Sequence, residues 1–205
     1  RELNDFGAIN IDGSIDDNDD NKGTKNHIFI DADINNPYGN LDFSIKTSNN
    51  DTYMRKMKLN DLTVYKSGIY FERSHNNTNF LMESNAYKHL TRQNSEQWEY
   101  LYPRVKYDIN NIKDDDFGGN VSLNNNFENY KSLDNSYSSL VSSQINWTKT
   151  TVSRNTGLIF DNQLNFRIVS SSIDYKSSTS DESTIGFFPQ VATKLSFPLM
   201  KINEN

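Results

Sequence analysis

The side chains with the chemistry to bind or react are two acidic runs, three histidines and scattered carboxylates. "DDNDD" at Asp16–Asp20 and "KDDD" at Lys113–Asp116 concentrate the oxygen ligands that calcium takes. Neither has EF-hand spacing or its closing Glu, so both read as solvated loops. His27, His75 and His89 stand far apart and lack metal-ligand spacing. Glu72, Glu83, Asp161 and Asp174 could exchange protons, yet no nucleophile elbow or glycine-rich phosphate loop accompanies them. The sequence therefore predicts no enzyme, no metal and no cofactor. Arg55, Lys56, Arg73, Arg104 and Arg167 are cations able to grip phosphate, but they read more simply as inward-facing strand charges. Asn-x-Ser/Thr triplets at 120–122 and 146–148 are expected by chance in so Asn-rich a chain.

The elements that position these residues follow from composition and period. The chain has 205 residues, 34% hydrophobic, a mean hydropathy of -0.80 and a net charge of -6. Such low hydrophobicity suits disorder, but 12 Phe, 11 Tyr and 2 Trp imply an ordered structure. The acidic balance without a basic cluster argues against nucleic acid as a partner. There is no Cys, so disulfides and thiolate metal sites are excluded within these residues. No apolar run approaches the ~18 residues of a membrane-spanning helix. Starting at Arg1, without Met, the chain reads as an internal fragment.

Apolar residues alternate with polar ones, the period of a strand with one oily and one wet side. "TIGFFPQVATKLSFPLM" puts Phe187, Val191, Leu195, Phe197 and Leu199 on one parity and Gln190, Lys194 and Ser196 on the other. "FGAINIDGSI", "HIFIDADI" and "LDFSIKT" alternate equally cleanly. Further strands are predicted over 62–73, 78–90, 102–112, 119–130, 143–154 and 158–175, giving about ten. Asn, Asp, Gly and Ser clusters separate them at hairpin spacing. Two folds suit such ribbons: a soluble sandwich whose oily faces meet, or a barrel whose oily face meets lipid while the polar face lines water. Strand length favours the barrel, since globular strands average about 5 to 6 residues. So does the bunching of Trp98, Tyr100 and Tyr102 near a strand end, where an interfacial girdle belongs. Pro189 and Pro198 inside the last pattern imply a bulge, kink or strand end.

The order of several short motifs resembles the barrel domain of the LptD family, the outer-membrane lipopolysaccharide-assembly or organic solvent tolerance proteins, in its alphaproteobacterial branch. Asp51, Tyr53, Arg55 and Lys56, followed by Leu62 and Thr63, stand where that family has an Asp-x-Tyr-Leu-Arg-Arg-like segment leading through Leu-Thr to the next strand. Pro103 matches a strand-opening Leu-Pro, and Phe117, Gly118 and Gly119 match a Phe-Gly-Gly-like segment. Arg167 matches an Arg-bearing strand, and Pro189, Pro198 and Leu199 match the closing Pro-containing strand. Lys56 and Met57 depart from an Arg and an aromatic common in the family, and an Arg usual before the last strand is missing. The resemblance implies that residues 1–205 are part of an antiparallel up-and-down transmembrane β-barrel in the Gram-negative outer membrane, about ten strands of a larger barrel, without the jellyroll domain and the gate strands. It implies lipopolysaccharide and membrane lipid as contacts, and an LptE-like plug lipoprotein and the periplasmic Lpt bridge as partners. Two other readings stay open: another outer-membrane barrel, such as a porin or transporter, and a soluble extracellular β-sandwich acting as adhesin or carbohydrate-binding protein.

Overall fold

Alternating sequences fold as strands when each parity finds one environment, and turn-forming clusters set where the chain reverses. A computed structural model describes residues 6–16, 24–49, 62–90, 97–176 and 181–197. Among them are ten strands: β1 (Gly7–Asp16), β2 (Lys25–Asn36), β3 (Gly39–Ser48), β4 (Val64–His75), β5 (Thr78–His89), β6 (Trp98–Lys113), β7 (Asn120–Lys131), β8 (Tyr137–Val152), β9 (Ile159–Asp174) and β10 (Glu182–Ser196). They form one antiparallel up-and-down sheet in chain order, from β1 at one edge to β10 at the other. The all-β, up-and-down part of the expectation is therefore met. The sheet is open, since β1 and β10 do not pair.

Strand lengths exceed the globular norm: β6, β8 and β9 each run 16 residues. Two strands start four or more residues earlier than the sequence pattern predicts. β6 opens at Trp98 instead of Tyr102, and β8 opens at Tyr137 instead of Ser143. The opening of β8, "YSSLVS", is Ser-rich and poor in strand formers; pairing with β7 and β9 on both sides holds it extended. Pro103 sits inside β6 where the register to both neighbours shifts, between Leu101 and Arg104. Proline has no amide hydrogen to give the ladder, so a central strand can carry it only at such an irregularity.

Pro189 takes a different solution from the one expected. It lies in mid-strand, opposite Phe166, with β10 in unbroken register to β9. It needs neither bulge nor strand end, because β10 is an edge strand with only one partner to satisfy. Pro198 lies outside the described residues.

Among the described residues no second layer covers the sheet: the strands touch in chain order, and the core amounts to Phe29, Tyr65 and Leu90 plus the separate Leu101. The accessible surface is 14804 Å². A compact protein of this mass would expose about 9,800 Å². Among the described residues the two-sheet sandwich is not formed. With two unpaired edges and an uncovered apolar face, the 205-residue chain expressed alone should aggregate or require detergent. Size-exclusion chromatography and limited proteolysis in plain buffer check this; a soluble, monomeric, protease-resistant product would contradict it.

Candidate functional site

The site is a pair of faces, built row by row from the strand register. One row across the edge pairs Ile11 with Ile30 and Ile30 with Ile45. Another pairs Ala32 with Phe43 and Phe43 with Ile69. At the far edge Ile145 meets Phe166, and Ile168 meets Phe187. These side chains share the apolar face and stand open to its surroundings: Ile11 is 72% exposed, Val191 72% and Phe187 58%. Phe187, Val191 and Leu195 thus lie on one side of β10, as their parity predicts, with Gln190 and Lys194 on the other.

Charges on the apolar face obey a positional rule. From Ile69 onward the described outward charges are Arg73, Lys88, Lys131, Lys149 and Asp174, each within three residues of a strand end. Arg73, expected inward, is one of them: its register opposite Phe80 puts it on the apolar side. Polar groups there satisfy one another: mid-strand, Ser143 Oγ donates to Asn125 Oδ1 at 2.8 Å, and near the strand ends Thr193 Oγ1 donates to Asn162 Oδ1 at 3.0 Å. Such pairing lowers the cost of placing a hydroxyl or amide away from water.

Aromatic side chains mark both ends of this face. At one end Trp98 stacks on Tyr100, which meets Tyr102 edge-on, with centroids 6.0 and 6.1 Å apart. At the other, Trp147 donates its indole N–H to Gly118 O at 3.0 Å and Lys149 Nζ donates to Phe117 O at 2.6 Å. This gives the Phe-Gly-Gly motif a structural role. Gly118 and Gly119 have φ of +67° and +102°, and a Cβ on Gly119 would lie 2.4 Å from Thr148 O. Only glycine fits that turn.

The opposite face is polar and concave. Concavities open on it, lined by Asp31, Asp42, Lys66, Tyr70 and Glu83 in one case and by Glu83, Glu99, Arg104, Glu128 and Tyr130 in another. Its central feature is Arg104, which donates to Glu83 Oε1 at 2.8 Å and to Glu128 Oε2 at 2.7 Å, bridging three strands. Asn85 Nδ2 adds a bond to Glu83 Oε2 at 3.0 Å. Gly68 makes room beside it, since a Cβ there would lie 2.3 Å from Asn85 Oδ1. His89 approaches Glu99 at 3.1 Å, and Lys46 approaches Asp31 at 3.6 Å. Apolar groups are fewer here, with Phe29, Leu81, Leu101, Leu140, Val169 and Phe188 among them.

The carboxylates considered for acid–base work are dispersed. Glu72 accepts from Tyr70 at 2.7 Å, Glu83 is bound to Arg104, Asp161 accepts from Thr150 at 2.7 Å, and Asp174 ends β9 on the apolar side. His27 is buried with Ser14 Oγ 2.9 Å from Nδ1, and His75 lies at a hairpin turn. Among the described residues no three His, Asp or Glu side chains cluster to hold a metal ion. In "KDDD" Asp114 accepts the amide of Asp116, while Lys113 reaches Asp115 at 3.2 Å in full exposure. Of "DDNDD" only Asp16 is described. The turn 132–136 is fastened by Asp134, whose carboxyl is held below the usual range by the Ser132 hydroxyl and the Ser136 amide. That contribution is present above the ordinary carboxylate pKa of about 3.9 and lost as pH falls below it.

Among the family-motif positions, Leu62 and Thr63 lead into β4, with Thr63 O accepting the Leu90 amide. Arg167 lies on the polar face between Gln144 and Phe188. Asp51, Tyr53, Arg55, Lys56, Pro198 and Leu199 lie outside the described residues. The described motif positions sit on separate strands and turns and converge on no single pocket. Two features were not legible in sequence: the Arg104 bridge and the capture of the Phe-Gly-Gly carbonyls from β8. Each joins residues at least 21 apart in the chain. No family model matches the chain, and no curated protein matches it.

Removing Arg104 leaves Glu83 and Glu128 facing each other without their cation. Arg104→Ala should lower stability by about 1–3 kcal/mol, and Arg104→Lys by less, because it keeps the charge but loses the fork. Denaturant titration of the folded protein measures this; an unchanged midpoint for Arg104→Ala would show the bridge to be incidental.

Proposed function

We propose that this chain is a stretch of the wall of a transmembrane outer-membrane β-barrel, and that the barrel serves lipopolysaccharide assembly. One observation carries the wall reading: charges keep to the ends of the apolar face, while the other face carries Asp31, Glu83, Arg104, Glu128 and Arg167 along its length. Water would tolerate a charge anywhere on a surface. Hydrocarbon would not, at about 2–4 kcal/mol for Lys or Arg at the membrane midplane. The dimensions agree. Tyr137 and Trp147, on the same side of β8, are ten residues apart. At ~3.4 Å per residue and a tilt of about 45°, this separates the aromatic ends by about 24 Å, against an apolar band of about 25 Å in such barrels.

The assembly role rests on the ordered motifs and their LptD-like resemblance. A lipid with acyl chains and a charged sugar portion needs a wall oily outside and hydrated inside. Lipopolysaccharide, membrane lipid, an LptE-like plug lipoprotein and the periplasmic Lpt bridge are the partners of this reading, and the barrel itself hydrolyses nothing. A porin or nutrient transporter would share the wall. Strand pairing favours either over a soluble sandwich, because the described strands make one sheet with no layer facing it.

Val141→Lys, mid-way along the apolar side of β8, should cost about 2–4 kcal/mol and sharply reduce the carbonate-resistant membrane fraction. Ser142→Lys, one residue on and facing the concave side, should change little. Equal effects would remove the wall reading. Depleting the full-length protein and following newly made lipopolysaccharide to the cell surface tests the finer role: retention inside supports assembly, whereas intact export with reduced solute uptake supports a porin.

A further inference from the structure

One neighbouring pair of strands is joined differently from the rest. β3 and β4 share a ladder only where Asn40–Ser44 face Gly68–Glu72, five positions, whereas every other adjacent pair runs over ten or more. Beyond Ser44 a side chain takes over: the Ser67 hydroxyl accepts from the Lys46 amide at 2.9 Å and donates to the Lys46 carbonyl at 3.3 Å. Parity shows where the strands go from there. Tyr65 and Lys88 belong to the apolar side, since they pair with each other and Lys88 pairs with Trp98. His27, Phe29 and Ser48 belong to the concave side, with His27 opposite Ser48. Yet the Tyr65 ring meets Phe29 edge-on, centroids 5.3 Å apart, and Lys88 Nζ donates to Ser48 O at 3.3 Å. Groups from opposite sides of one sheet touch only if the opening of β4 and the close of β5 step inward over the end of β3. The overlap is dry: His27, Phe29, Ser48, Tyr65 and Leu90 are all buried there.

Hydrocarbon makes such a joint consequential, because every ladder group unpaired within it is costly. Parting β8 from β9 would strip a ladder along all 16 residues of each. Parting β3 from β4 strips five positions and a side-chain clasp. Resting on the wall reading, we propose that β3–β4 is a lapped joint at which the wall parts laterally, β1–β3 separating from β4–β10 and opening a way between the concave side and the bilayer. The test uses the full-length protein in lipid vesicles with a single cysteine. The thiol of Ser48→Cys lies under the lap and should react slowly with a water-soluble maleimide. Adding Ser67→Ala removes the clasp and should speed that reaction about 2- to 10-fold, the range one lost hydrogen bond implies. Ser67→Thr keeps the hydroxyl and should restore the slow rate. Leu101→Cys, buried on β6 between longer ladders, should not respond to Ser67→Ala. A Ser48→Cys rate indifferent to Ser67→Ala, or an equal rise at Leu101→Cys, overturns the joint. A nitroxide at Val141→Cys keeps the two readings apart: it should collide with oxygen and not with a water-soluble nickel complex. Nickel access there would sink the wall reading, whereas failure at Ser48→Cys with Val141→Cys dry sinks only the joint.

Discussion

The structure depends on a hydrogen-bonding constraint imposed on a sheet with one uncovered apolar face. Backbone amides and carbonyls must be paired wherever water is absent, and a long antiparallel ladder does this for every interior strand. From β2 to β9 each strand has a partner on both sides. The irregular places are the ones where pairing fails locally: Pro103 at a register shift, a second shift between Ile109 and Ile112, and the departure of β4 from β3 beyond Ser44, where Ser67 Oγ accepts from the Lys46 amide at 2.9 Å. Once the ladder is secured, side-chain parity divides two environments, and everything assigned to this chain follows from what those environments are.

The division explains both the low hydropathy and the abundance of aromatics. Half the positions of each strand stay polar and network with one another, so the mean is hydrophilic although one face is oily. Charged pairs concentrate on the concave side, where Arg104 ties β5, β6 and β7 together. On the other side the aromatic groups are most telling at the two ends, around Trp98 and Tyr100 and around Trp147. A soluble surface has no reason to arrange charges by height, whereas a bilayer has a strong one.

Much of this was legible in the sequence, because period-2 alternation depends on neighbours two residues apart. The ten strands, their antiparallel order and the side on which Phe187, Val191 and Leu195 lie all follow from parity and turn chemistry. What escaped was set by partners distant in sequence. Arg73 falls outward because Phe80 lies opposite it. The first residues of β8 are extended because two strands flank them, despite a Ser-rich composition. Pro189 is tolerated because β10 ends the sheet, a fact of topology and not of local pattern. The Phe-Gly-Gly motif was visible as a string, but its carbonyls are claimed by side chains of β8 and its glycines by backbone conformation.

The two tryptophans sit near opposite ends of the same apolar face, Trp98 beginning β6 and Trp147 near the close of β8. Brominated-lipid quenching in membranes holding the protein, with Trp98→Phe and Trp147→Phe isolating each in turn, reads their surroundings directly. Both should be quenched, more strongly by bromines near the headgroup end of the acyl chain than by bromines near its tip. Insensitivity of both tryptophans to every brominated lipid would mean that this face meets protein or water, and the account would fail.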